Sequence, residues 1–493
     1  MMQKKFLKNL AFLVFLNLLV KPFWIFGVDR EVQNITGPEE YGFYFTILNF
    51  SYLFYIILDL GITNFNNRNI AQNNQLLNKH LAGISTLKVL LGVAYGIIIF
   101  IIGWIIGYDA RQMYLLAWVG FNQFLLSLIL YLRSNISGLL LFKTESFLSV
   151  LDRLLMILVC GILIWVSQFR SHFTIEWFVY AQTVAYLFTA IIALGVVLYH
   201  SGRLRLRWNP IFFLMILKKS LPFALLVLLM SFYSRIDPVL IERLLKGSFG
   251  AEQSGIYAQA FRLLDAGQNF ALLFPILLLP LFSKMIKEKE SVAELVKLSF
   301  SIIISGTLII ALTTLFYSEH IMQLLYTQGE GEAYEAYMER IVLSASILKL
   351  LMFSLVFVSS VYIFGTLLTA NNNLYYLSLF ALISLVANII LNVLLIPEYF
   401  ALGSAYANLT AQGLTAVLQI ILAYRLFHFR INYRLIIRLI LTIILTIAVG
   451  YLLPMTGIQN WIISMLLMLF MGLLISFALK LLNIKEFIAI LRN

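Results

Sequence analysis

Long apolar runs broken by short polar stretches set the pattern of this chain, and the runs are too long for a soluble core. A helix crossing a bilayer needs about 20 mostly apolar residues. By that measure the sequence predicts about fourteen spans, at residues 8–28, 41–64, 82–107, 112–136, 147–168, 174–199, 220–244, 255–283, 297–317, 341–369, 374–396, 401–427, 434–453 and 459–483. No connection is long enough to form a soluble domain, so the expected fold is an all-α polytopic membrane protein.

Polar positions then orient the spans. Cytoplasmic loops collect Lys and Arg, and here basic loops alternate with neutral or acidic ones. Lys4, Lys5 and Lys8 precede the first span; Arg68 and Lys79 follow the second; Arg203, Arg205, Arg207, Lys218 and Lys219 follow the sixth. Lys284, Lys287 and Lys289 follow the eighth, and Arg425, Arg430 and Arg434 the twelfth. The acidic stretches "DREVQNITGPEE" and "GEGEAYEAYMER" lie on the other side. Both termini are therefore expected in the cytoplasm, with "NPIFFLMILKKS" an amphipathic segment along the inner surface.

Composition changes the picture little. Only 12% of the 493 residues are charged and the net charge is +12, which in a polytopic protein reflects basic loops rather than nucleic acid. The lysines at the start resemble a signal peptide, but Lys21 and Pro22 interrupt the apolar run and the segment reads as a retained span. A single cysteine, Cys160, excludes an internal disulfide and a Cys-based metal site. Glycine-rich phosphate loops, HExxH and nucleophile elbows are absent, and the five histidines stand singly. The chain is not expected to be an enzyme.

A repeat organises the spans. "GPEEYGFY" (Gly37 to Tyr44) returns as "GAEQSGIY" (Gly250 to Tyr257) at an offset of 250 − 37 = 213, and "YAQTVAYLFTA" from Tyr180 returns as "YANLTAQGLTA" from Tyr406 at 406 − 180 = 226. Six spans per copy give both copies the same orientation, the parallel repeat known in transporters. The expected domains are a six-helix bundle at 1–200, a cytoplasmic linker at 201–219, a second bundle at 220–428, and two extra helices at 429–493. The bundles are expected to face each other across a cavity.

Ionisable residues inside spans cost about 2.5 to 3.5 kcal/mol each at the bilayer centre and must pair or meet water. Counting from span ends places Lys21, Arg235, Arg262, Asp265 and Lys349 roughly 10–15 Å below the outer surface, with Asp237 shallower. Asp59, Arg133, Asp152 and Arg153 fall towards the inner surface. Pro22 and Pro238 permit bends beside Lys21 and Arg235. Arg262 and Asp265 can pair at i,i+3. Four cations against two acids imply an anionic guest, with Asp237 and Asp265 as coupling or ion-pair groups. Asp59, Gly61 and Arg68 form a candidate inner gate or loop. Asn388 and Asn392 share one helix face and fit helix packing.

"LGITNFNNRNIA", "GPEEYGFY" and especially "VANIILNVLLIPEYFALGSAYANLTAQG" (Val386 to Gly413) resemble the polysaccharide-biosynthesis branch of the multidrug/oligosaccharidyl-lipid/polysaccharide exporter superfamily, the Wzx-type O-antigen flippases. The resemblance implies two six-helix bundles in a V, alternating access, and a bacterial inner membrane. It also implies the substrate, an undecaprenyl-diphosphate-linked oligosaccharide of O-antigen, capsule or lipopolysaccharide type, turned from the cytoplasmic to the periplasmic leaflet. Lys21, Arg235, Arg262 and Lys349 are then expected to bind the diphosphate, membrane lipids to hold the tail, and Tyr44 and Tyr257 to offer faces to sugars. A glycan polymerase is the candidate protein partner. No cofactor is implied beyond coupling to Na⁺, H⁺ or the membrane potential. The competing readings are a cation-coupled multidrug antiporter on the same fold, which needs an acidic cavity, and a membrane glycan polymerase or glycosyltransferase, which needs a large catalytic loop.

Overall fold

The computed structural model describes residues 16–17, 19–63, 66–67, 70, 77–139, 141–201, 208–329 and 331–482. Arg68 lies outside them. Every described element is a helix and none is a strand. Ten helices among the described residues are long and apolar enough to cross a membrane, or eleven if the pair Ala224–Arg235 and Asp237–Leu245, bent by 49° at Ile236, is one span. That bend falls beside Pro238, as its missing N–H predicts. Large apolar side chains such as Ile97, Ile101, Leu158 and Ile191 point outward and stay more than half exposed. On a soluble protein such a surface would drive aggregation; on a chain of spanning helices it meets lipid.

The chain divides into two compact units, Met1–Gly255 and Ile256–Asn493. In the first unit, a π-helical turn, Trp24–Asp29, leads into α1, Arg30–Leu53. There follow α2 (Leu77–Ile105), α3 (Ala110–Gly138), α4 (Phe142–Trp165), α5 (Ile175–Ser201), α6 (Pro210–Arg235), α7 (Asp237–Leu245) and the start of α8 (Gly247–Ala271). The segment "NPIFFLMILKKS" forms the first turns of α6, which runs on to Arg235.

The stretch "DREVQNITGPEE" is not an external loop. It is helical to Thr36, turns at Gly37 (φ 78°, ψ 170°), and resumes at Pro38. A positive φ is open to glycine at little cost, and proline suits the first position of the resumed helix. The polar residues there read as a loop because they satisfy one another inside the protein. Asp29, 2% exposed, accepts hydrogen bonds from Tyr41 Oη at 2.9 Å and Gln33 Nε2 at 3.2 Å.

The two copies of the repeat meet inside this unit. Gly42 of α1 packs on Ala251 and Gly255 of α8, and Gly255 packs on Pro38. At the 213-residue offset Pro38 corresponds to Ala251 and Gly42 to Gly255, so the contact is made of equivalent positions exchanged. Thr46 Oγ1 and Ser254 Oγ close it at 2.8 Å.

The second unit contains the end of α8, then α9 (Leu273–Lys287), α10 (Ala293–Leu325), α11 (Tyr334–Ala370), α12 (Leu374–Leu426), α13 (Tyr433–Leu452) and α14 (Trp461–Ala478). α12 spans two of the expected segments, 374–396 and 401–427, and breaks at Phe400 (φ 52°). Asn392 bridges the break, donating to Asn388 O at 2.9 Å and accepting from Ser404 Oγ at 2.5 Å, which is the packing role expected of the Asn pair. α11 begins at Tyr334, so much of "GEGEAYEAYMER" is helix rather than loop. The last two helices belong to this unit: both pack on α10, and Gly450 and Gly472 admit the side chains of Phe316 and Ile309.

Candidate functional site

Helix starts and ends decide the depth of each charge. α4 begins at Phe142, five residues before the expected start at 147, which puts Arg153 about 16 Å along the helix, near the middle of its 24 residues. Lys21 also moves inward. The helix it stands on continues to Thr36 instead of stopping near residue 28, so Lys21 lies about 22 Å from that end. The expected separation of Lys21 from Asp152 and Arg153 is corrected, since Arg153, Asp152 and Arg133 are the charges that act on Lys21.

Around this point the first unit builds a cationic, aromatic site. The Arg153 guanidinium lies 5.5 Å from the Trp24 ring centroid and has Asp152 Oδ2 3.7 Å from its Nε. The π-turn matters here. Trp24 opens the widened turn of residues 24–29 and is buried, its ring stacked on Phe178 of α5 at 6.0 Å. Tyr186 and Tyr52 lie in the electrostatic reach of Arg153. Arg235 joins this group through Tyr52, with its guanidinium 5.4 Å from the Tyr52 centroid, and Tyr52 stacks on Tyr55 at 5.2 Å. Lys21, Arg153 and Arg235 thus gather round one aromatic cluster. Within the Lys21–Asp152–Arg153 group two cations face one carboxylate. Such a group can hold an anion between two charged donors while rings cover its flanks.

Arg133, which also lies near Lys21, is engaged by Glu145 at 2.6 Å. Asp237 is fully buried at the first turn of α7, where the helix N-terminus favours a carboxylate. Asp59 sits at the far end of α1, after the short helix Tyr55–Leu58, and Lys88 holds it at 2.6 Å. Lys88 is 1% exposed, and its three donors meet three acceptors, Asp59 Oδ1, Leu58 O at 2.9 Å and Ser127 Oγ at 2.9 Å. Leu60 and Gly61 follow with φ 45° and 77°.

The remaining predicted residues are in the second unit. Arg262 faces Asp265 at 3.8 Å, as the i,i+3 spacing predicts. Lys349 faces Glu319 at 3.9 Å, a carboxylate that the count of four cations against two acids left out. The positive balance expected for the whole set is therefore offset by these pairs in the second unit, while the first unit gains Arg153.

Sequence reasoning noticed Arg153 but placed it apart from Lys21; the adjacent Asp152–Arg153 pair in an apolar run was its signal. Lys88 carried a similar signal, a lone ammonium inside an apolar run. Asp29 carried none, because a polar stretch bonded internally has the composition of a loop. Among the described residues no group of three or more His, Cys, Asp or Glu could hold a metal ion.

Residues 6–286 match the model of a family described as polysaccharide biosynthesis protein. No curated protein matches the chain in sequence. Among solved structures the chain is similar to the lipid II flippase MurJ in an inward closed conformation, with a TM-score of 0.69 at 14% identity over 96% of this chain and 100% of that one. It is also similar to a MOP superfamily transporter from Pyrococcus furiosus, with a TM-score of 0.60 at 15% identity over 85% and 94%. An inward-facing multidrug resistance MATE family transporter matches with a TM-score of 0.60 at 13% identity over 84% and 98%. At these identities the likeness is one of fold.

Proposed function

The chain belongs to the polysaccharide biosynthesis protein family of the multidrug/oligosaccharidyl-lipid/polysaccharide exporter superfamily, and from that premise we propose that it is a flippase for a polyprenyl-diphosphate-linked oligosaccharide. The observation that carries the reading is the grouping of Lys21 and Arg153 with the carboxylate of Asp152 in the first unit. A diphosphate taken from water into a spanning protein needs cations already in place, and charge-assisted hydrogen bonds are the strong ones. Lys21 and Arg153 supply the charge, and Arg235 completes the cradle across Tyr52. The polyprenyl tail stays in lipid.

Translocation proceeds by alternating access, from the cytoplasmic to the periplasmic leaflet of a bacterial inner membrane, with both termini cytoplasmic. Six-helix bundles at 1–200 and 220–428 carry the movement. Arg262, Asp265 and Lys349 act as a switchable set of ion pairs, and Asp237 and Asp265 are the candidate coupling groups for Na⁺ or H⁺. The membrane potential also acts on the anionic headgroup, at about 2.3 kcal/mol per charge per 100 mV. Asp59 and Gly61 form the inner gate, hinged at the left-handed Leu60–Gly61 turn. The lipid II flippase whose fold this chain shares handles a substrate of the same chemical class, which supports the reading.

The test is depletion. Loss of the protein leaves lipid-linked oligosaccharide accumulated on the inner leaflet, protected from periplasmic ligase or polymerase. Normal glycan export without the protein, together with raised sensitivity to cationic dyes, overturns the reading in favour of a drug antiporter.

A further inference from the structure

A second basic site lies within the second unit. Lys297 and Ser301 of α10, Arg430 of the connection after α12, Arg434 and Arg438 of α13, and Lys480 just after α14 line a cavity of about 600 Å³. Among the described residues five cations line it and no carboxylate does, and Glu294, 3.4 Å from Lys297 Nζ, is the carboxylate paired with a lining cation. The walls are tied together rather than merely adjacent. Arg438 donates to Lys480 O at 3.4 Å, joining the end of α14 to α13, and Lys480 is held in the left-handed region at φ 56°. The side chain of Asn432 caps α13 at Leu435 N, leaving the positive end of that helix at the cavity.

The surroundings identify what such a cavity meets. On α13 the exposed residues next to the arginines are Ile436, Ile437 and Ile440, a lipid-facing surface, and Tyr433 stands 69% exposed at its mouth. Cations at the end of an apolar helix, with an aromatic residue at the same level, mark the headgroup layer of a membrane. Basic pockets between spanning helices in that layer suit headgroups bearing more than one phosphate.

We infer that this cavity binds the phosphates of an anionic phospholipid, with cardiolipin the best match to five cations, its acyl chains lying along Ile436, Ile437 and Ile440. The site is independent of the substrate proposed above. Its role is to seat the last two helices in the anionic leaflet.

The test uses the full chain in nanodiscs of phosphatidylcholine containing cardiolipin, with retained lipid counted by native mass spectrometry. Wild type is expected to enrich cardiolipin, and Arg430→Gln with Arg434→Gln to reduce that enrichment about thirtyfold, the scale of two cations lost at an anionic surface. Lys297→Gln with Lys480→Gln is expected to act alike and serves if the first pair fails to fold. Displacement of cardiolipin by inorganic diphosphate supports recognition through the phosphates. Binding of diphosphate with no preference for cardiolipin over phosphatidylcholine assigns the cavity to a soluble anion and overturns the lipid assignment. Unchanged cardiolipin retention in both double variants overturns the site.

Discussion

Gly42 and Gly255 lie against each other across the contact of α1 with α8. A Cβ at Gly42 would come 1.8 Å from the Ala251 carbonyl oxygen, and one at Gly255 would come 1.8 Å from the Pro38 carbonyl oxygen. The obstacle in both cases is backbone, which cannot swing aside. Gly42→Ala and Gly255→Ala are each expected to destabilise the protein by about 3 kcal/mol or more, at the upper end of overpacking costs. Thermal unfolding in detergent checks this; a melting temperature equal to wild type in either variant would show that the helices do not approach so closely.

Lys88 and Asp59 form a pair whose breakage and replacement differ in effect. Removing one partner leaves a charge in a poor environment and costs about 3 kcal/mol, whereas removing both leaves none. Lys88→Met is expected to unfold at lower temperature than Lys88→Met with Asp59→Asn. If the double variant is the sum of the two singles, the residues do not interact.

Lys21→Ala, Arg153→Ala and Arg235→Ala are each expected to lower glycan export about ten- to a hundredfold, the loss of one charge-assisted contact with a phosphate. Membrane content of the protein should not change. Arg153→Lys retains the charge but loses the planar fork and should fall between. Surface glycan, normalised to protein in the membrane, is the readout; wild-type export from all three alanine variants removes the site.

The turn before α11 responds to pH. Burial alone would raise the Glu332 carboxyl, but Arg340, bonded at 2.9 Å, and the Gly329 N–H outweigh it and hold the pKa below the usual value. A depressed carboxyl contributes stability above its unfolded value of about 4.3 and loses it as pH falls through the folded value. Wild type should therefore melt above Glu332→Gln at pH 7, and the gap should close below about pH 4. A gap that stays constant between these conditions contradicts the ion pair.

Hydrophobic length is a local property, and it alone determined the helical class and most spans, while i,i+3 spacing announced the Arg262–Asp265 pair. Proline chemistry likewise announced the bend at Ile236. Depth and partnership are not local. Lys21 and Arg153 come together only through the packing of the folded helices, and no hydropathy pattern registers it. Asp29, Gln33 and Tyr41 looked like a loop for the same reason: polar groups that bond to each other inside a protein have the composition of groups that bond to water. Only the tertiary structure decided which cations face a carboxylate and which face one another, since a charge separated by a hundred residues is a neighbour only after the chain has folded.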